Sequence, residues 1–307
     1  MAIYDSISQL IGKTPMIRLR RTEELLGLSA ELYVKLEYFN PTGSVKDRAA
    51  LGMLDAAEKR GIIGKDTVII EPTSGNTGIG IAAIASSRGM RSVIVMPDSM
   101  SKERAALIKA YGGEVVYTPG SEGMAGAIKR AEELKASTPG AFIPSQFDNE
   151  DNKLAHFYTT GPEIYSDMEG MVDIFVAGVG TGGTLSGTGE YLKSRLPDIK
   201  IVAVEPLDSP LLSGGKAAPH KLQGIGANFI PKILSPIYDE VFTVATEDAY
   251  ETLRALGKNE GIAVGISSAA ALFAAIRLAE VKENAGKRIV ALMPDGIDRY
   301  LSTDIFD

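Results

Sequence analysis

Short runs of β-branched residues alternate with helical segments along this chain, and this alternation restricts its fold more than any other feature. Most of the runs are apolar at nearly every position, which is typical of strands buried on both faces. Such strands, separated by helices, predict parallel sheets built from βαβ units and hence an α/β fold. The eight candidate strands are TVIIEP from Thr67, SVIVMP from Ser92, EVVYTP from Glu114, AFIPSQ from Ala141, VDIFVAGV from Val172, KIVAVEP from Lys200, VFTVA from Val241 and RIVALMP from Arg288.

The helical segments between these strands end at glycines, which commonly stop helices. Helices are predicted over residues 45–60, 79–88 and 102–111, each followed directly by glycine. Thr246 is expected to cap another helix, because acidic residues follow it at the positive end of the helix dipole. At 307 residues the chain suits two lobes with a crevice between them and a boundary near Glu150.

Composition argues against several classes of function. The net charge is −7 without blocks of Lys or Arg, so binding to nucleic acid or to an anionic membrane is not expected. The chain has no cysteine, which excludes disulfides, thiolate metal sites and a cysteine nucleophile. His156 and His220 are its only histidines, so neither a metal site nor a Ser-His-Asp triad is expected. With no signal-peptide pattern and no apolar stretch of about 18 residues, a cytoplasmic location is expected.

Several segments beside the strands have residue types that suit ligand binding, and in open parallel sheets ligands bind beyond the carboxyl ends of strands. The segment NPTGSVKDR at 40–48 places Lys46 in the first turn of a helix. Burial and the helix dipole would both lower the pKa of an amine there, as a Schiff-base lysine requires. A surface lysine beside Asp47 and Arg48 is the alternative.

A second loop, EPTSGNTG at 71–78, follows a buried strand and opens an apolar helix. Its backbone N–H groups, hydroxyls and amide suit a carboxylate at a helix N-terminus. A plain N-cap with glycines for tight turning is the alternative. A further segment at 265–270 also enters a helix, and Ser267 and Ser268 there would ordinarily be caps.

A glycine-rich loop, GVGTGGT at 178–184, also joins a strand to a helix, and its glycines allow backbone N–H groups to approach a phosphate. A tight turn is the simplest alternative. The loop also matches the G-x-G-x-x-G pattern, with Glu205 where a ribose-binding acid would be expected. An NAD-dependent oxidoreductase is therefore a rival hypothesis, although it leaves Lys46 and the 71–78 loop without a role.

Taken together, these segments resemble the cysteine synthases, or O-acetylserine sulfhydrylases, of the tryptophan synthase β-like group, which is fold type II of the pyridoxal-phosphate enzymes. The resemblance runs nearly from end to end, and several motifs in the right order are more specific than any one of them. The matching motifs are IGKTPMIRL at 11–19, NPTGSVKDR at 40–48, EPTSGNTG at 71–78, TTGPEI at 159–164, GVGTGGTLSG at 178–187, EPLDSPLLSGG at 205–215, HKLQGIGANFIP at 220–231, GISSAAA at 265–271 and DRYLST at 298–303.

The resemblance implies two lobes, each with a mostly parallel twisted sheet flanked by helices, and an active site in the cleft between them. Residues 41–150 would form the smaller lobe, which carries Lys46 and the substrate loop Thr73–Gly78. Residues 1–40 and 151–307 would form the larger lobe, which binds the phosphate of pyridoxal 5′-phosphate.

The resemblance also implies a role for each matching residue. Lys46 would be the catalytic residue and carry the internal aldimine with the cofactor, Asn76 would bond the ring hydroxyl oxygen, and Ser267 would face the pyridine nitrogen. The cofactor phosphate would be held by Gly180, Thr181, Gly182, Gly183 and Thr184. The substrate would be bound by Thr73, Ser74, Gly75, Asn76, Thr77, Gln146 and Gly224.

The implied reaction exchanges the acetate of O-acetyl-L-serine for sulfide through an α-aminoacrylate intermediate and releases L-cysteine. Lys46 would remove the α-proton and later return it. A homodimer is implied, and serine acetyltransferase is a possible partner, because family members bind its C-terminus in the active site. The alternatives within the same fold are a β-lyase or a cystathionine β-synthase-like enzyme acting on cysteine or serine.

The sequence departs from the common family pattern at several positions. Asn228 and Ala269 stand where glycine is usual, DNEDNKLAH at 148–156 replaces an asparagine-proline run, and PDGIDRYLST at 294–303 replaces a serine-rich ending. None of these changes removes a predicted cofactor contact. A polar Asn228 near the pocket mouth could position water, which leaves the natural acceptor open.

Overall fold

The computed structural model describes residues 3–73 and 75–306 of the chain, so Ser74 of the predicted substrate loop lies outside the described residues. Strands and helices alternate through most of this part of the chain. The strands are β1 (Met16–Arg18), β2 (Glu31–Leu36), β3 (Val68–Pro72), β4 (Arg91–Pro97), β5 (Glu114–Thr118), β6 (Ile174–Gly178), β7 (Lys200–Pro206), β8 (Glu240–Val244) and β9 (Arg288–Met293).

The strands form two separate sheets, and nearly all neighbouring strands are parallel. The larger sheet has the order β1-β2-β9-β6-β7-β8, in which β1 with β2 is the antiparallel pair. Its register places Val290 of β9 opposite both Tyr33 and Phe175. The smaller sheet has the order β3-β4-β5, with Ile70 opposite Val93. This arrangement confirms the predicted α/β fold with mostly parallel sheets.

The helices follow the strands, as parallel pairing requires. The apolar helix that follows the 71–78 loop lies in the interior of the protein, since Ile79, Ile81 and Ile84 are almost completely buried. The helices are α1 (Arg20–Leu26), α2 (Lys46–Lys59), α3 (Asn76–Ser87), α4 (Lys102–Ala110), α5 (Gly123–Ser137), α6 (Glu150–Tyr158), α7 (Thr160–Asp167), α8 (Gly183–Arg195), α9 (Thr246–Glu260) and α10 (Ile266–Ala279). None of these helices, nor any other within residues 3–73 and 75–306, has the length and apolar character to cross a bilayer.

Each sheet is covered by apolar side chains on both faces. In β9 the side chains of Ile289 and Ala291 join one core, and those of Val290 and Leu292 join the core on the opposite face. The smaller sheet is likewise packed on both sides. Burying one Val or Ile side chain contributes about 1.5–3 kcal/mol to the stability of the fold. Because both faces of both sheets are covered, these contacts hold the strand ends, and the loops that follow them, in fixed positions.

Two local predictions were wrong. The segment AFIPSQ is not a strand, because pairing with β3 stops after a single bridge between Ile69 and Phe142. Pro144 has no N–H to donate, and Ser145 has a φ of 60°, so the ladder cannot continue. Thr246 is the first residue of α9 rather than its cap, and Ala245 occupies the cap position without a side-chain hydrogen bond.

Candidate active site

A cleft of about 290 Å³ opens where loops that follow strands of both sheets meet the amino ends of several helices. This volume is close to the lower end of the range for small-molecule sites. Gly183 was also predicted to belong to the site, but it does not line the cleft, and a Cβ built on it would point at the Asn152 side chain. The predicted site residues that line the cleft are Lys46, Thr73, Gly75, Asn76, Thr77, Gln146, Gly180, Thr181, Gly182, Thr184, Gly224 and Ser267.

Lys46 is the first residue of α2 and its side chain is half-buried at the base of the cleft. Burial lowers the pKa of its amine below the usual value, and the nearby negative charge of Asp295 opposes this shift. A lysine with a lowered pKa is neutral for a larger fraction of the time near pH 7. Lys46 can therefore act as a nucleophile or as a base, whereas a surface lysine cannot do so readily.

The turn before Lys46 is held by Asp47 and Arg299. The Asp47 carboxylate accepts a hydrogen bond of 2.7 Å from the backbone N–H of Thr42 and another from the Thr42 hydroxyl, while Arg299 donates to the Thr42 carbonyl. Burial raises the pKa of Asp47 to about 6, although the bonds from Thr42 oppose the shift. Gly43 has a φ of +81° and lies against the Arg299 guanidinium, so a side chain there would be strained and crowded.

The next residue of α2, Arg48, is the centre of a buried ion network. Its guanidinium donates to Glu37 at 2.7 Å and to Glu163 at 2.7 Å. Burial alone would raise the pKa of Glu37, but the Arg48 charge and hydrogen bond lower it below the usual value. Removing one member of such a network leaves an uncompensated buried charge at a cost of about 3–5 kcal/mol, so the network fixes the start of α2.

The predicted substrate loop leads into the amino end of α3. Within this loop the backbone N–H of Gly75 donates to the Thr73 hydroxyl at 3.3 Å, and the Thr77 hydroxyl donates to the Gln146 side-chain oxygen at 2.6 Å. Asn76 donates through Nδ2 to Asp295 at 2.7 Å. Its Oδ1 is buried and has no partner within the described residues, as expected of an amide that takes part in binding a ligand.

Glu71, at the end of β3, holds the segment that carries Gln146. Its buried carboxylate accepts the backbone N–H groups of Ser145 at 3.0 Å and of Gln146 at 3.2 Å. These bonds fix the left-handed backbone of Ser145 and place Gln146 beside Thr77. Burial raises the pKa of Glu71 to about 7, so its protonation changes near neutral pH.

The glycine-rich loop connects β6 to α8 and lies against the loop at 224. Gly182 has a φ of +85° and occupies the N-cap of α8. A Cβ on Gly180 would come within 2.5 Å of the Gly224 carbonyl oxygen, so only glycine allows this close approach. The Asn152 amide donates to Thr181 Oγ1 at 3.1 Å and to the Gln146 carbonyl at 2.8 Å, which links this loop to the segment that carries Gln146.

His156 supports the glycine-rich loop from below and does not face the cleft. Its Nδ1 lies 2.8 Å from Thr160 Oγ1, and its Nε2 lies 3.2 Å from Thr184 Oγ1. Burial lowers the pKa of His156 to about 3, so the ring is neutral near pH 7 and orients the Thr184 hydroxyl. The other histidine, His220, lines the cleft with Nε2 at 2.9 Å from the Gly226 carbonyl.

Ser267 is the second residue of α10 and is 2% exposed at the floor of the cleft. Gly224 approaches it so closely that a Cβ there would lie 3.1 Å from the Ser267 hydroxyl oxygen. Gly224 also has a φ of +99°, which favours glycine for a second reason. The contact brings the loop at 224 directly above the amino end of α10.

The cleft is electrostatically suited to an anionic ligand. The helices α2, α3, α8 and α10 all begin at it, and the amino end of a helix carries about half a positive charge together with free N–H groups. One anion fits at α8 beside the glycine-rich loop and another at α3 beside the 73–77 loop. A ligand with a phosphate, next to a substrate with a carboxylate, matches this pattern.

The cleft also contains Asp295 and Arg104, two charged residues that were not predicted from the sequence, and Asn228, which was expected near the pocket mouth. Asp295 follows β9, so the rule that ligands bind beyond the carboxyl ends of parallel strands would have indicated it. Asn228 was noted as a departure but given no contact. It has a φ of 63°, and its Oδ1 accepts a hydrogen bond of 3.1 Å from the buried Ser209 hydroxyl.

The geometry does not support the dinucleotide hypothesis. Glu205 would have to bind a ribose, but its carboxylate already accepts the backbone N–H groups of Leu212 at 2.7 Å and Ser213 at 2.9 Å and the Ser213 hydroxyl. The Glu205 carboxylate therefore stabilises the loop that follows β7 and does not face a ribose site. Nor do residues 3–73 and 75–306 contain a cluster of three or more His, Asp or Glu side chains placed to hold a metal ion.

Comparison with known proteins gives consistent matches over nearly the whole chain. Residues 7–295 match the family model described as pyridoxal-phosphate dependent enzyme. The chain is 52% identical over 304 residues to a cysteine synthase of Staphylococcus aureus (strain Mu50 / ATCC 700699), a match that covers 98% of this chain and 97% of that protein.

Solved structures agree with these sequence matches. A cysteine synthase from Entamoeba histolytica superposes with a TM-score of 0.96 at 44% identity, covering 99% of this chain and 91% of that chain. A hydrogen sulfide-producing enzyme from Fusobacterium nucleatum superposes with a TM-score of 0.93 at 46% identity, covering 97% of this chain and 100% of that chain.

Proposed function

Because this chain belongs to the family of pyridoxal-phosphate dependent enzymes, we propose that it is a cysteine synthase that exchanges the acetate of O-acetyl-L-serine for sulfide and releases L-cysteine. The observation that carries this proposal is the meeting of three features in one cleft. These are the half-buried Lys46, the glycine-rich loop at 180–184, and the 73–77 loop with Gln146. Membership of this family removes the oxidoreductase alternative.

The residues of the cleft fit pyridoxal phosphate. When bound, this cofactor supplies a ring that stabilises negative charge on the substrate α-carbon. The 180–184 loop and the amino end of α8 would hold the phosphate, and the Asn76 amide would bond the ring oxygen. Ser267 would face the ring nitrogen and, being neutral, would not favour protonation of that nitrogen as a carboxylate would.

The remaining residues bind the amino acid and move its proton. The N–H groups at the start of α3, with Thr73, Thr77 and Gln146, hold the substrate carboxylate and so fix the direction of the Cα–H bond. The Lys46 amine, whose pKa is lowered by burial, takes the α-proton and later returns it. Departure of acetate and addition of sulfide both occur at the β-carbon.

The direct test is to incubate the purified chain with O-acetyl-L-serine in the presence and absence of sulfide. We expect cysteine and acetate in stoichiometric amounts when sulfide is present, and little pyruvate when it is absent. Pyruvate formation at the same rate with or without sulfide would instead identify a β-lyase. Cystathionine from serine and homocysteine, at a higher rate than cysteine, would indicate a cystathionine β-synthase-like enzyme.

Lys46→Ala is predicted to remove cofactor attachment and to lower turnover by about 10²–10⁴-fold, the usual contribution of a positioned acid or base. The fold should remain intact, as measured by circular dichroism and thermal unfolding. Lys59→Ala is the matched control, because Lys59 is the exposed last residue of the same helix. Full activity of the Lys46 variant, or borohydride labelling of another lysine, would contradict the assignment.

A second candidate activity is the release of sulfide from cysteine. It is favoured by Asn228, whose amide is held in the cleft by Ser209 and could position a water molecule or a second substrate at the β-carbon. The test compares sulfide release from cysteine alone in the wild type and in Asn228→Gly. If cysteine desulfuration is the main activity, the wild type will turn over cysteine faster than O-acetylserine plus sulfide, and the variant will lose that preference.

The organisation of the protein is also part of this proposal. Residues 41–150 form the smaller lobe, with 1–40 and 151–307 as the larger one, and the chain acts as a cytoplasmic homodimer. The edge strand β1, with Ile17 at 40% exposed, supports pairing with a second copy. Light scattering would measure the dimer. Competition between O-acetylserine and a serine acetyltransferase C-terminal peptide would test that partner.

A further inference from the structure

Asp295 lies where three segments of the proposed cofactor site meet. Its backbone pairs with Ser44, two residues before Lys46, and its carbonyl accepts the N–H of Gly265 at 2.9 Å, at the amino end of α10. Its side chain accepts a hydrogen bond of 2.7 Å from Asn76 at the amino end of α3. Asp295 therefore contacts the segment before Lys46, the Asn76 side chain proposed to bond the ring oxygen, and the segment before Ser267, which is proposed to face the ring nitrogen.

The Asp295 carboxylate is almost fully buried, and the residue is 1% exposed. Its Oδ2 accepts hydrogen bonds from both Asn76 Nδ2 and the Tyr300 hydroxyl, each at 2.7 Å. Lys46 and Arg104 line the same cleft as Asp295, and the Arg104 guanidinium lies 5.0 Å from the centre of the Tyr300 ring. The negative charge of Asp295 opposes the lowering of the Lys46 pKa by burial.

We propose that Asp295 is a positioning residue that orients the Asn76 amide and places a negative charge in the cleft near the Lys46 amine. Burial makes this lysine a weak base, and a weak base alone would be a poor acceptor for the substrate α-proton. The carboxylate restores part of its basicity without exposing it to water.

The same carboxylate decides which way the Asn76 amide points. Because Nδ2 is committed to Asp295, the buried Oδ1 and the second Nδ2 proton remain for a ligand. A serine hydroxyl in place of Asp295 could donate or accept, and so would leave both amide orientations available. This inference rests on the proposed function, since it assigns Asp295 to the Lys46 site.

The test measures how fast Lys46 captures pyridoxal phosphate at different pH values. The full-length protein is freed of cofactor, mixed with saturating pyridoxal phosphate between pH 5 and 10, and quenched with borohydride, and the label on Lys46 is quantified by peptide mass spectrometry. Only the neutral amine attacks the aldehyde, so the midpoint of the rate profile follows the protonation of Lys46. We expect Asp295→Asn to shift this midpoint to lower pH by at least about one unit.

Two controls separate charge from structure. Asp298→Asn removes a charge from an exposed side chain three residues away and should leave the midpoint unchanged. Tyr300→Phe removes a hydrogen bond but keeps the Asp295 charge, so its midpoint should not fall. Should Asp295→Asn fold poorly, Asp295→Ser is measured instead and should shift the midpoint in the same direction.

The outcomes distinguish this inference from the proposed function. A midpoint in both Asp295 variants equal to that of the wild type would overturn the role of Asp295, while labelling of Lys46 would still support the proposed function. An equal downward shift in Tyr300→Phe would also overturn it, because the effect would then be structural. If Lys46 is labelled in no variant, nor in the wild type, the proposed function fails and the role of Asp295 fails with it.

Discussion

Atoms at the cleft are packed so closely that one added methyl group would displace the side chains around it. Gly265 precedes α10, and its Cα lies directly against the Asp295 carboxylate and the Tyr300 ring. The contact leaves Oδ1 of Asp295 buried and without a hydrogen-bond partner among the described residues. The Asp295 side chain is therefore held in place by close packing against Gly265 as well as by its hydrogen bonds.

Gly265→Ala tests this packing. The added Cβ would lie 2.0 Å from Asp295 Oδ1 and 2.6 Å from Tyr300 Cε2, so both side chains must move. We expect a loss of about 1–3 kcal/mol in the free energy of unfolding, typical of overpacking, together with weaker cofactor binding. Gly64→Ala is the control, because a Cβ there meets no atom within 4 Å. Equal stability of the two variants would show that the Gly265 contact relaxes freely.

At the scale of elements, the ends of strands position the chemistry. Near the end of β3, Glu71 fixes the Ser145–Gln146 backbone, although the segment that contains those residues forms no strand of its own. The buried Glu71 carboxylate thus accepts the backbone N–H groups that strand pairing would satisfy in a continued β-ladder. The position of Gln146 in the cleft therefore depends on the protonation of Glu71.

Glu71→Gln is predicted to raise the KM for O-acetylserine by about tenfold, equivalent to one lost hydrogen bond, with a smaller effect on kcat. The amide presents a donor to backbone N–H groups, so Gln146 loses its fixed position. Because the pKa of Glu71 is about 7, the wild-type KM should rise as the pH falls through 7 and the carboxylate gains a proton. The variant should lack this pH dependence, whereas Glu114→Gln, at an exposed site on β5, should retain it.

Most strands of the fold could be predicted from the sequence because burial on both faces leaves a continuous apolar run. Strand β2 was not predicted, since ELYVKL contains Lys35, which is fully buried only because Glu163 and Asp167 pair with it at 3.0 and 3.1 Å. Partners so far along the chain give no local pattern. Asp295 follows a predicted strand, but its bond to Asn76, more than 200 positions away in the chain, could not be read from the sequence.

At the scale of the whole molecule, cofactor binding should join the two sheets into one stable unit. Lys46 and Asn76 begin helices beside the smaller sheet, whereas the 180–184 loop and Ser267 belong to elements of the larger one. A ligand that bonds to both groups is favoured only when both are folded. Its binding energy therefore adds to the stability of the whole chain.

Pyridoxal phosphate at about 100 times its Kd is predicted to add about 2.7 kcal/mol to the free energy of unfolding. Chemical denaturation of the cofactor-free protein, with and without the ligand, measures this increment. Pyridoxal, which lacks the phosphate, should stabilise the protein less at the same concentration because it makes no contact with the 180–184 loop. Equal stabilisation by both ligands would contradict the placement of the phosphate.

Acid should destabilise the molecule through His156. Its folded pKa of about 3 lies below the usual value of about 6.5, so the unfolded chain binds more protons between these limits and stability falls as the pH drops below 6.5. At pH 5 this single group lowers the free energy of unfolding by about 2 kcal/mol. His156→Gln should be less stable than the wild type at pH 7, and urea denaturation should show the gap narrowing towards pH 5. A constant gap would mean that His156 titrates normally.

The contact between Gly180 and the Gly224 carbonyl has a consequence for how this enzyme can evolve. A side chain at position 180 has no room unless the distant 224 backbone moves first, and that backbone rests on Ser267. Substitutions in these two loops must therefore occur together, while positions on the rim of the cleft such as Met124 can change independently of this contact. Libraries that seek new nucleophiles should accordingly randomise the rim and leave both glycines untouched.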